Sequence, residues 1–238
     1  MAGRVSARLA EGNSGPVYYP RAEIVAALNE ANRFFCLLTL GLETTAVWSV
    51  PSATTFFHML SYFPDWIAPL RITTVSGAKV RPARLNELTA LDSGWMGSPG
   101  SPTRYCAMGA DFLALYPQPP VPTPPATGTT LNVTYARAPL TLANDSDEPE
   151  TPAEYHPKYV DYGIYRMRQG EGSQEFAKAL GYLDSFFEGA QHYAAYVRAR
   201  NLGSRYDKTP FEIESFDRSG MRKPGQDRST PAAAPEGE

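Results

Sequence analysis

Ile24, Leu28, Ala31, Phe35, Leu38 and Leu42 follow one another at steps of four and three. This stripe constrains the fold more than any other stretch. The spacing places all six side chains on one face of an α-helix, and so apolar a face must be covered. It predicts a helix over residues 20–42. Pro20 suits the first turn, where a missing N–H costs little. Gly41 suits a left-handed residue just past the end. A matching stripe lies far along the chain, in Phe176, Leu180, Leu183, Phe187, Ala190, Ala194 and Val197. Ser173 can cap that helix, with Glu175 in its first turn. A shorter stripe, Val160, Ile164 and Met167, precedes it and is broken at Gln169-Gly170-Glu171-Gly172. Two helices with so short a break form an antiparallel hairpin. Its open face calls for the helix at 20–42.

Between the stripes the period changes from 3.6 to two, and β-branched and aromatic residues dominate. Residues 44–50 and 54–59 are expected to pair around Pro51-Ser52. Residues 70–75 and 78–81 should form a hairpin at Ser76-Gly77, and 103–108 with 112–116 another at Gly109-Ala110. Residues 84–91 read as a short helix with Leu85, Leu88 and Leu91 inward. Leu131, Val133 and Tyr135 alternate with Asn132 and Thr134, as one strand with a buried face requires. The expected fold class is therefore α+β: a helical bundle, made of the first helix and the C-terminal helical hairpin, with an inserted β-rich lobe. The domains follow as a loosely ordered N-terminal arm at 1–19, a discontinuous helical domain at 20–43 and 153–203, the β-rich lobe at 44–152, and an extended C-terminal arm at 204–238.

Composition narrows the function. Of the 238 residues, 42% are hydrophobic and 20% charged, which is enough for a packed core. The net charge of −3 argues against a broad phosphate-binding surface. No apolar run reaches the length of a membrane span, and residues 1–15 carry no apolar signal core. Cys36 and Cys106 are the two cysteines. Buried free thiols are the default reading, and a disulfide stays open.

Chemistry-bearing constellations are missing from the sequence. His58, His156 and His192 have no partners at zinc-ligand spacing. There is no phosphate loop and no nucleophile elbow. Asp145, Asp147, Glu148 and Glu150 lack the glycine and register of a calcium loop and read as a solvated acidic turn. No catalytic residue, cofactor or metal is expected. Fourteen tyrosines are the more informative feature. Tyr155, Tyr159, Tyr193 and Tyr196 are candidate interface residues, because Tyr is favoured at protein–protein contacts; a tyrosine-rich core is the alternative. In the C-terminal arm, Phe211, Ile213 and Phe216 interrupt a run of charge, Pro and Gly. They are candidate partner-docking residues, against the alternative of a disordered end with stray hydrophobes.

Several segments together resemble a known family. They are Leu28-Asn29-Glu30-Ala31, then Arg81 to Leu88 with Leu91-Asp92 and Trp95, and Pro102-Thr103-Arg104-Tyr105. Leu113 to Pro117, Val133 to Ala136 with Pro139, and Pro152 to His156 complete the set. With the element order, they resemble the head–tail adaptor (connector) proteins of tailed bacteriophages over about residues 20–201. The resemblance implies a structural virion protein at the head–tail junction, assembled in the host bacterial cytoplasm and without catalysis. Such a protein would form a ring of itself, dodecameric, between the portal protein and the next tail component (a nozzle or neck protein). DNA would pass through the channel without specific binding, and no membrane would be involved. The alternative is a β-rich carbohydrate- or protein-recognition module on a helical stalk, with an enzyme third.

Overall fold

In the computed structural model the described residues are 1–9, 19–122, 128–144, 147–169 and 173–202. They form a mixed α+β fold in which five α-helices accompany one seven-stranded sheet. The helices are α1 (Ala2–Arg8), α2 (Arg21–Thr39), α3 (Leu85–Leu91), α4 (His156–Arg168) and α5 (Ser173–Leu202). The strands are β1 (Glu43–Ser49), β2 (Phe56–His58), β3 (Trp66–Thr74), β4 (Lys79–Pro82), β5 (Arg104–Met108), β6 (Phe112–Tyr116) and β7 (Thr130–Arg137).

Helix α2 begins where its first turn can be satisfied, as the Pro20 carbonyl accepts the N–H groups of Glu23 and Ile24. It stops at Leu40, which adopts φ 50° and returns its N–H to the Cys36 carbonyl. The left-handed residue is therefore Leu40, where Gly41 was expected. Glycine is needed at 41 for space, because a Cβ there would lie 2.9 Å from Cζ of Tyr193.

The α2 stripe from Ile24 to Phe35 is buried against α4 and α5 in one apolar cluster, with Leu38 partly buried at its edge; Leu42, expected on the same face, lies past the helix end and outside that cluster. Phe35 is fully enclosed, with its ring centroid 5.0 Å from Tyr159, 5.6 Å from Tyr193 and 5.8 Å from Phe186. Phe186, outside the four-three stripe read from α5, is as deeply buried as Phe35.

Helix α1 lies where a loosely ordered arm was expected. Ala2 and Val5 are buried, and Val5 packs against Gly163 so closely that a Cβ on that glycine would be 3.2 Å from Val5 Cγ2. Arg8 ties the helix end to Asp161 at 2.6 Å. Two apolar residues are too few to show a period, so packing on α4 rather than propensity holds this helix.

The sheet runs in the order β1-β7-β3-β4-β5-β6-β2. All neighbours are antiparallel except β4 and β5. The expected hairpins at Ser76-Gly77 and Gly109-Ala110 join β3 to β4 and β5 to β6, with Gly77 at φ 87° and Gly109 at φ 62°. The expected pairing of β1 with β2 does not occur. β1 pairs with β7 and β2 with β6, at opposite ends of the order. The connection turns outward at Ala53, φ 52°, whose N–H is taken by the Pro119 carbonyl. The sheet curls on itself, and Trp48, Ile72, Val80, Leu113, Leu131 and Val133 fill its inside.

Outside the sheet, α3 covers Cys106 and Ala114 with Leu88 and the following Trp95. Leu88 is fully buried, but Leu85 is 47% and Leu91 54% exposed. Their inward placement was expected and does not occur: of the three leucines spaced three apart, only the central one reaches the Cys106–Ala114 ground, and the two at the helix ends stay exposed.

Candidate functional site

The four candidate interface tyrosines lie along one path from core to surface. Tyr159 is fully buried, its hydroxyl 2.8 Å from Thr151 Oγ1, and burial drives its phenol far above the ordinary value. Tyr193 is buried against Phe35. Tyr155 is half-buried, its ring 4.9 Å from that of Tyr193. Tyr196 stacks beyond Tyr193 at 6.3 Å and 19°, and is 54% exposed. Two of the four thus place their rings in the protomer's own core, and Tyr196 offers the most surface. Phe211, Ile213 and Phe216 lie outside the described residues.

Polar groups on the helices are used structurally. Asp161 accepts from Arg8 and, at 2.8 Å, from Ser185 Oγ, which in turn receives Lys158 Nζ at 2.9 Å. This network fastens α1, α4 and α5. His156 is buried, and its Nε2 donates to the Thr151 carbonyl at 2.9 Å. Glu30 on α2 accepts from the Tyr162 hydroxyl and from Arg166 Nε, each at 2.9 Å. Burial first, and the Glu30 hydrogen bond second, push the Tyr162 phenol up.

The acidic turn likewise folds back on its own backbone. Asp147 accepts the N–H groups of Asn144 and Ala143, which hold its carboxyl below the usual range. Glu150 clamps Arg137 with both oxygens and takes the Leu140 N–H at 3.0 Å. Among the described residues no group of three or more His, Cys, Asp or Glu side chains is placed to hold a metal ion. Nor is any helix there long and apolar enough to cross a membrane.

Two surfaces stand out that the sequence did not reveal. One is a cleft of about 920 Å³ between α2 and the turns at the end of the sheet, lined by Glu30, Arg33, Phe34, Leu37, Trp66 and Pro139 among others. The other is the exposed apolar ground of Leu85, Leu91 and Met96 around α3. Both are made by side chains distant in sequence or facing away from a short helix, so no period could announce them. Glu30 and Tyr162, hydrogen-bonded at 2.9 Å, both line the cleft.

No curated protein matches the chain. The family described as SU10 adaptor protein matches residues 1–212, nearly nine-tenths of the sequence. The segments that suggested a head–tail adaptor fall inside that match. With a match of this extent, the chain belongs to the SU10 adaptor protein family, a family of phage head–tail adaptors.

Proposed function

We propose that this phage adaptor, a structural component of the virion, forms a closed ring of like subunits between the portal protein and the next tail component. The ring continues the DNA channel, and DNA passes without specific binding. The observation that carries the reading is the family match over residues 1–212. The fold agrees with it. A closed ring needs two unlike complementary faces on each protomer, and a helical side and a sheet side are available. In this reading α2, α4 and α5 act as one discontinuous helical bundle, and the sheet with α3 is the lobe inserted into it. Residues 204–238, outside those described, serve as the arm that grips the portal through Phe211, Ile213 and Phe216. The subunit works by holding its neighbours in place and performs no catalysis. Assembly takes place in the host bacterial cytoplasm, and the finished ring resides at the head–tail junction.

The test is co-expression of the full chain with its portal protein, followed by mass measurement and electron microscopy of the purified complex. Rings of a single size seated on the portal are expected, twelve subunits being the number the reading favours. A strictly twofold dimer, or a chain that never joins the portal, would overturn it. Ending the chain at residue 205 separates the arm from the ring: loss of portal binding is expected, and undiminished binding removes the arm's role.

A further inference from the structure

Strand register brings three arginines together. Arg81 on β4 is paired with Arg104 on β5. On the other side, Ile72 of β3 pairs with Val80, so Arg71 and Arg81 occupy the next step of that ladder. Val80 and Ile72 point inward, so the arginines share the outer face. Three guanidinium groups therefore stand on adjacent strands about 4.8 Å apart. Like charges set opposite one another are unfavourable. Among the described residues none of the three has an ion-pair partner. In a chain of net charge −3 this is a local excess of positive charge.

An opposite excess lies on α5. Asp184, Glu188, His192 and Tyr196 recur every four residues, and all four are exposed. They form one stripe on the side of the helix turned away from the core. Asp184 and Glu188 are one turn apart, about 5–6 Å between their Cβ atoms, another unfavourable like-charge pair. Neither has an ion-pair partner among the described residues. Lys158, which crosses from α4, gives its ammonium to Ser185 instead.

We infer that these two surfaces are the complementary halves of the contact between successive copies of this chain, the Arg71–Arg81–Arg104 row of one protomer receiving the Asp184–Glu188 stripe of the next. The inference rests on the ring reading and adds to it the two faces and their polarity. The spacings suit each other, since adjacent strands and adjacent helical turns repeat at about 5 Å. Each face also has an exposed apolar residue near it in sequence: Leu85, 47% exposed, lies four residues past Arg81, and Tyr196, 54% exposed, ends the α5 stripe two turns beyond Glu188. Because the faces differ, the contact is heterologous and propagates around a ring.

The experiment uses two charge-reversed full-length chains. One carries Arg81→Glu with Arg104→Glu, the other Asp184→Lys with Glu188→Lys. Each alone opposes like charges at every contact, whereas in an equimolar mixture each can meet the other in alternation. The expected result is that wild type forms rings with its portal, each variant alone loses at least tenfold in ring yield, and the mixture recovers them. Recovery also shows that both variants are folded. Either variant forming rings alone as wild type does, or a mixture that fails to recover, overturns the pairing while leaving the ring intact. Rings that persist in the arginine variant, together with loss of a wild-type gel shift on duplex DNA, overturn it in favour of a phosphate-binding row. Wild type that forms no ring on its portal refutes the ring reading itself and is seen without any variant.

Discussion

Trp48 and Phe57 stand on strands at opposite ends of the sheet order, yet their ring centroids are 4.9 Å apart and their planes meet at 88°. An open twisted sheet of seven strands would hold its edges far apart. Here a connection of six residues, 50–55, ties the edges together, and the edge-to-face ring pair closes the gap. Trp48 is 3% and Phe57 2% exposed, so each ring fills the inside of the curl.

Replacing either ring should therefore open the sheet. Trp48→Ala and Phe57→Ala are each expected to cost about 3–5 kcal/mol. The double variant should cost less than the sum by about 0.5–1.5 kcal/mol, the coupling of an aromatic pair in contact. Urea denaturation of the four proteins measures this. Strict additivity would mean that the two rings do not hold the edges to each other.

Gly41→Ala tests how the sheet is fastened to the helices. Residue 41 lies between α2 and β1, and its α-carbon faces the Tyr193 ring on α5. A methyl group there must displace a buried ring, at about 1–3 kcal/mol. Gly97 has nothing within 4 Å of the position a Cβ would take, so Gly97→Ala is the control and should stay within about 0.5 kcal/mol of wild type. Thermal melting distinguishes the two; equal effects would rule out crowding at Tyr193.

What could be read from sequence follows from which interactions have a period. The stripes beginning at Ile24 and Phe176 announced α2 and α5, because burial of one helical face repeats every three or four residues. Strands announced themselves by alternation, but alternation does not name a neighbour. Trp48 and Phe57 looked like members of one hairpin because only a short turn separates them. The outward turn at Ala53 depends on the Pro119 carbonyl, 66 positions away in sequence. The parallel pairing of Arg81 with Arg104 was hidden for the same reason, and with it the arginine row. Tyrosine content suggested interface, yet Tyr159 and Tyr193 are core residues whose hydroxyl-bearing rings fit a helical interior as well as phenylalanine does. Family resemblance supplied what periodicity could not, namely the kind of assembly to which such surfaces belong.

Acid should weaken the loop that returns the chain to α4. Arg137 and Glu150 form a two-pronged pair, with the Leu140 N–H as a third contact to the carboxylate. The Arg137 hydrogen bond is the main reason that Glu150 is held below the usual carboxylate value. A depressed folded value means that the ionised form is favoured by folding. The stabilisation is full above the unfolded value, about 4.3 for Glu, and is lost as pH falls through the lower folded value. Glu150→Gln should cost about 1–2 kcal/mol at pH 7, and the deficit should shrink below pH 4. Denaturation at pH 7 and pH 3 checks it; a deficit independent of pH would remove the charge from the explanation.

The two cysteines report on the helical core and on α3 separately. Both are free and buried, Cys36 on α2 and Cys106 beneath α3. Burial pushes the Cys36 thiol up to about 12; Glu150 nearby adds to the rise, and Arg137 opposes it. Burial, with Glu87 second, raises that of Cys106. The thiolate is the reactive form, so neither should react with an aromatic disulfide reagent at pH 7.5 in the native protein, and both should react once it is unfolded. Reaction under native conditions then requires local opening, whose rate reflects local stability. Cys36 is buried on the 19-residue helix α2, close to Tyr159 and to the Arg137–Glu150 pair, whereas Cys106 depends on a seven-residue helix held down by Leu88 while Leu85 and Leu91 face water. Cys106 should therefore be labelled first. Leu88→Ala should speed its labelling at least tenfold and leave that of Cys36 unchanged, read by mass spectrometry of the two peptides. Equal acceleration at both sites would mean that α3 opens only when the whole protein unfolds.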